Sequence, residues 1–227
     1  MIKVRAIFIL FLVASIVQCF GKPLYTFWDD LHIRQADKWC VKHGGQIYEL
    51  DLGDIEIVFN EEAINQNIDS ILLALNCVIK KVESRVRYYI KLSSGSEFFN
   101  LVKELSSGRL VRNISVKTRT VGKIVDTLIT EVRLRDRLYL KKDGKWYYSQ
   151  GGKLYEIVAD VIALRLKKVS VGEMNPFFER NKLTLINVDR LGICNVKIIS
   201  DRHAIFYFID FFGNQSLDFI ELITKSD

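Results

Sequence analysis

The chain has 227 residues, of which 49 % are hydrophobic and 26 % charged, and its formal net charge is +6. This composition excludes a disordered or fibrous chain, and so modest a positive excess compels no nucleic-acid role. Four cysteines are too few for a disulfide scaffold, so a buried core must supply most of the stability.

In chain order, residues 1–21 read as a signal peptide. Lys3 and Arg5 form a positive n-region, residues 6–17 are almost wholly apolar, and Cys19 and Gly21 place small residues three and one positions before a cut. The apolar run is short of the roughly twenty residues that span a bilayer, although an uncleaved signal anchor is the competing reading. The expected mature chain is secreted, with no stable membrane insertion after cleavage. Cleavage leaves Cys40, Cys77 and Cys194, with Cys40–Cys194 the expected disulfide and Cys77 a small buried hydrophobe.

Residues 55–59 read as a strand. Asn60 then caps a long helix over 61–82, with Glu61 and Glu62 in its first turn and apolar residues at helical spacing from Ile64 to Ile79. A half-buried strand follows at 85–92. Ser96 starts a shorter helix that ends before Gly108, and residues 109–118 favour a strand. The second half of 121–133 is taken as a strand, and 158–171 fits either helix or strand. Sequons at Asn113 and Asn214 are candidate glycan acceptors.

Residues 137–157 predict a β-meander. Asp143-Gly144 and Gly151-Gly152 are tight-turn pairs, because a type I′ turn needs positive φ at both central positions. Alternation places Trp146 and Tyr148 on one face of the middle strand, where cross-strand packing into a core is the expectation. Gly172 and Asn175-Pro176 mark 170–181 as a linker, and four runs after it (183–188, 192–200, 204–212 and 216–224) read as an antiparallel sheet.

Two strands set cations around a tyrosine. Arg85, Arg87, Tyr89 and Lys91 alternate with apolar residues, and so do Arg133, Arg135, Arg137, Tyr139 and Lys141, opposite Leu134, Leu138 and Leu140. The binding surface expected from this pattern is a basic face of Arg85, Arg87, Lys91, Arg133, Arg135, Arg137 and Lys141. Its expected partner is a host protein or an acidic glycan. Asp136 breaks the alternation and predicts a bulge or an edge.

Signals of catalysis are poor. His32, His43 and His203 form no metal-binding spacing, and Cys40 with His43 is half of a four-ligand site. Asp51, Asp54 and Glu56 lack the calcium-loop spacing, and no nucleophile elbow or phosphate loop occurs. No catalytic residue, metal or cofactor is expected.

The leader, the strand "LDLGDIEI" at 50–57 and the hairpin "RLYLKKDGKWYY" at 137–148 together resemble the FAINT-domain proteins secreted by piroplasm parasites. The likeness spans residues 45–157 at most and departs at the expected long helix, since that family is mostly strand. It implies export toward a host cell and brings no catalytic residues with it.

The sequence therefore predicts an α+β protein, an antiparallel sheet with one long and one short helix. Its expected domains are a main domain at 22–170 and a β-rich segment at 171–227 packed on it. The expected function is secreted, non-catalytic binding at a host interface, without nucleic acid. A carrier of a small apolar ligand is the alternative, and a secreted hydrolase ranks behind it.

Overall fold

The computed structural model describes residues 30–92, 95–107, 110–122, 124–167 and 171–225, so the expected signal peptide lies outside the described residues. Their contacts form two compact units: Tyr48–Thr120, and a second built from residues 30–47 and 121–225. Among the described residues strand dominates, at 56 % against 22 % helix, in thirteen strands and four α-helices. The expected α+β architecture with one long and one short helix is thereby corrected to a mostly-β one. Every strand pair with a described register is antiparallel.

The first unit contains most of β3 (Gln46–Phe59), together with β4 (Cys77–Ser84), β5 (Arg87–Leu92) and β6 (Val111–Val121), in the order β6-β3-β5-β4. Ile55 and Ile57 of β3 are paired with Ile90 and Tyr88 of β5 and are fully buried, and Phe59 meets Tyr88 edge-on at 5.5 Å. Helix α1 (Ile68–Ala74) is short, and α2 (Gly95–Ser107) is the longest helix described. The expected helix over 61–82 is instead a 3₁₀ turn at Glu61–Asn65, then α1, then β4. The Asn67 side chain accepts from Ser70 N at 3.1 Å to start α1. Asn76 ends it in the left-handed region at φ 57°, a conformation that asparagine tolerates better than other non-glycine residues. Beyond it Val78, Ile79 and Val82 are β-branched and find partners on β5, Ile79 opposite Ile90 and Cys77 opposite Leu92. Cys77 is buried as expected, but in a strand.

In the second unit β1 (Leu31–Gln35) and β2 (Lys38–His43) join a meander of β7 (Ile129–Leu134), β8 (Arg137–Lys142), β9 (Lys145–Gln150) and β10 (Lys153–Leu166), in the order β2-β1-β7-β8-β9-β10. The two glycine turns form as predicted, with φ of 50° and 78° at Asp143-Gly144 and of 58° and 79° at Gly151-Gly152. The expected single strand over 133–141 is a hairpin. Arg135, at φ 54°, and Asp136 make its turn, so Asp136 is neither a bulge nor an inward residue.

Strand β10 pairs with three other strands. Its start pairs with β9, whereas Val161–Leu164 pairs with β12 (Cys194–Ile198), and Ile157–Leu166 pairs with β13 (Leu217–Thr224) across two register shifts. β11 (Leu183–Val188) lies beyond β12 at the margin. The stretch 204–212, expected as a strand, is helix α4 (Ala204–Phe211), started by the His203 ring, which accepts from Ile205 N at 3.1 Å. Six of its eight residues are buried, which erases the one-sided stripe that marks a surface helix. The expected linker 170–181 is largely helix α3 (Val171–Arg180).

One row of paired residues (Cys40, Ile33, Val132, Tyr139, Tyr148, Tyr155) crosses six strands of this sheet. Helix α4 packs over it: Phe208 lies 5.7 Å from Tyr139, and Phe206 stands edge-on to Trp146 at 6.3 Å. Trp146 is 2 % exposed, as core packing of the meander requires.

Candidate functional site

Register decides what becomes of the expected basic face. Residues opposite each other in an antiparallel pair share a face. Arg133 is opposite Leu138, while Tyr139 is opposite Val132 and Tyr148. Tyr139 therefore points into the core at 3 % exposure, and Leu138 and Leu140 take the other face, half-buried. This inverts the expected orientation. Arg133 lies on the face opposite Tyr139, Arg137 and Lys141 share the side of Tyr139, and Arg135 stands in the turn, so the set is split. Burial raises the Tyr139 hydroxyl above its ordinary value, although Arg137 opposes the shift.

In the first unit Arg87, Tyr89 and Lys91 do share a face, while Arg85 sits in the preceding turn, outside β4 and β5. That face is not purely basic. Glu56 meets Arg87 at 3.3 Å and the Tyr89 hydroxyl at 3.4 Å, and Glu83 meets Arg87, Lys81 and Tyr89. Hydrogen bonds from Tyr89 and Lys81 hold the Glu83 carboxyl below its usual range. Arg85 lines a shallow hollow of about 320 Å³ beside Tyr88 and Asp69.

The second unit has two larger clefts. One, of about 560 Å³, lies between the β7–β8 turn, the end of α4 and the start of β13. Arg135, Asp136, Arg137 and Asp218 line it together with Phe211, Phe212 and Phe219, and Arg137 donates to Glu221 Oε1 at 3.0 Å. Asn214 lies at its edge, exposed, with its side-chain oxygen accepting from Ser216 N at 2.9 Å. The other expected glycan acceptor, Asn113, sits within β6, where its Nδ2 donates to Ser115 Oγ at 2.9 Å and its Oδ1 is buried without a hydrogen bond.

The other cleft, of about 570 Å³, holds charges that sequence reasoning missed. Lys42 is 8 % exposed, and its Nζ donates to the carbonyl oxygens of Ile209 and Asp210 at 2.6 Å each, against the negative end of α4. Burial lowers the ammonium from its ordinary value, and Asp210 pulls it partly back. Arg202 is bidentate to Asp126, with Nη2 3.0 Å from Oδ1, and also bonds Asp210, while its guanidinium lies over Phe206 and Tyr207. Burial works against this cation, but the two carboxylates outweigh it and hold it above its ordinary value. The only local signal was that Lys42 shares the inward parity of Cys40. Its partners lie 167 and 168 residues away, beyond any window of the sequence.

Cys40 and Cys194, the expected disulfide, are both buried thiols and are not bridged. The Cys194 Sγ lies instead 3.6 Å from Met174 Sδ. His43 Nδ1 is 2.7 Å from Asp30 Oδ2, and His32 is buried in β1. Among the described residues no cluster of histidine, cysteine and carboxylate side chains could hold a metal, and no helix is long and apolar enough to cross a membrane. No protein family, curated protein or solved structure matches the chain.

Proposed function

We propose that the protein is exported and acts by binding an acidic partner at the β7–β8 hairpin, without catalysing a reaction. The observation that carries this reading is that Arg135 and Arg137 line one cleft of about 560 Å³ together with three phenylalanines, beside Asp136 and Asp218. A guanidinium fork recognises carboxylate or sulfate bidentately, and adjoining aromatic surface adds contact area at little entropic cost. The volume falls within the range of small-ligand sites, roughly 300–1,000 Å³. The resemblance to secreted parasite domains supports a partner at a host surface, either a protein or a sulfated glycan.

The test is retention on immobilised heparin. The double variant Arg135→Ser/Arg137→Ser elutes at lower salt than the parent, with its circular dichroism unchanged. Arg112→Ser/Arg119→Ser, which removes the same charge from β6 of the first unit, elutes close to the parent. Equal losses in both variants would reduce the interaction to net charge and sink the site. Export is checked separately, because the mature N-terminus recovered from the medium is expected at Lys22.

A further inference from the structure

Strand β11 forms one margin of the second unit's sheet: it pairs with β12 and, among the described residues, with no other strand. Such an edge presents a row of unpaired N–H and C=O groups, which sequences ordinarily guard with lysine, proline or inward charges. Leu183–Val188 contains none of these side-chain guards, and only its short length and the bulge at Ile186 limit the edge. The margin of the first unit, β4, carries Lys80, Lys81 and Glu83. Three apolar side chains stand open in or beside β11: Ile186 is 53 % exposed, Leu191 71 % and Ile199 65 %. Ile186 falls in the register shift against β12, so it is held outward by the bulge and has no cross-strand partner there.

We propose that β11 pairs antiparallel with β11 of a second copy of this chain about a two-fold axis. The two ends of the strand supply the argument for self-pairing. Lys182 precedes β11 and Asp189 follows it, both exposed, and no charged residue lies between them. An antiparallel two-fold sets Lys182 of each copy against Asp189 of the other, so the pairing is charge-matched twice. The apolar side chains obey the same symmetry. Ile199 is tied to the Lys182 end by its N–H to Lys182 O at 2.9 Å, and Leu191 to the Asp189 end by its N–H to Asp189 Oδ1 at 2.8 Å. The two-fold brings the Ile199 end of one copy to the Leu191 end of the other. A self-complementary patch of this kind defines an isologous interface. Six paired residues bury less than the roughly 800 Å² per partner of a standard interface, so the dimer is weak and governed by concentration. It does not depend on the acidic-partner reading.

Sedimentation velocity of the purified protein over a concentration series tests it. The weight-average mass is expected to climb toward twice that of the monomer. Ile186→Lys, which places a gatekeeper charge at the bulge, weakens association about tenfold or more with the melting temperature unchanged. Lys182→Asp, which sets like charges together across the axis, weakens it in a manner that added salt partly relieves. Leu73→Lys, at an exposed apolar site on α1, leaves it unaltered. A parent that stays monomeric throughout overturns the proposal, and so does a dimer that Ile186→Lys and Leu73→Lys affect alike. A monomer whose β11 amide signals shift on adding an extended apolar peptide assigns the edge to a foreign strand instead, and that too overturns it.

Discussion

Both units carry exposed ion pairs, but the second also buries a lysine and a histidine in its interior. On the first unit's sheet Glu56 and Glu83 share Arg87, Lys81 and Tyr89, Asp54 takes Lys80 at 3.3 Å and Lys117 at 3.8 Å, and the participating side chains stand largely in water. In the second unit Lys42 is buried against two carbonyls, and His32 is buried in β1. Water decides the consequence. An exposed pair gains little over its hydrated parts, typically about 0–1 kcal/mol, because solvent screens it and two long side chains must be ordered. A buried polar group has given up its hydration, so each missing partner leaves a desolvated atom behind. The first arrangement spreads neutralisation over a surface. The second concentrates stability in single contacts.

The largest expected effect sets the scale of burial without charge. Trp146→Ala removes the ring that meets Phe206 and should cost about 3–5 kcal/mol in chemical denaturation. Normal stability would mean that α4 does not rest on the meander.

His32 comes next. Burial keeps its ring neutral and lowers its pKa to about 4 from 6.5; the Asp30 backbone opposes the shift and Arg133 adds to it. The unfolded chain then takes up a proton near pH 6.5 that the native state refuses until about pH 4. Stability is therefore full above that window, falls as pH drops through it and levels below it, by about 3 kcal/mol in total. Burial also lowers the pKa of His203, which adds a loss of the same sign. Urea melts of the parent and of His32→Gln between these pH values should differ in slope, the variant being flatter; parallel curves would show that His32 is protonated without penalty.

Lys42→Met is expected to cost about 2 kcal/mol, since it strips charge-assisted bonds from two carbonyls near the end of α4. Amide exchange should speed up in the last turn of α4 and leave β3–β5 alone. Lys80→Ala, at the exposed pair with Asp54, is the smallest change, within about 0.5 kcal/mol. If Lys80→Ala proves as damaging as Lys42→Met, the contrast between wet and buried charge fails.

What could be read from the residues was local. Asp143-Gly144 and Gly151-Gly152 fixed two hairpins, because positive φ at adjacent positions is a property of those residues themselves. Trp146 was placed inward by alternation from the same turns. The strand at 183–188 was found by its β-branched and apolar run. Where two local tendencies compete, the residues alone gave the wrong element. The apolar spacing of 61–82 suits a helix, yet Asn76 accepts a left-handed turn and the β-branched residues after it gain a ladder with β5. In 204–212 burial on nearly every side hid the helical stripe.

The faces and the charged sites lay further out of reach. Arg135 has no glycine to announce its positive φ, so 133–141 looked like one strand, and the parity carried across the unseen turn turned Tyr139 outward. Lys42, Arg202, Asp126 and Asp210 come from distant parts of the chain and acquire meaning only when α4 settles on the sheet. The sequence by itself determined turns, strand runs and a predominantly apolar core, which rest on backbone preference and on the period of side chains. Tertiary structure decided which side of each strand is dry and which cation meets which acceptor, because both depend on neighbours that only the packed sheet supplies.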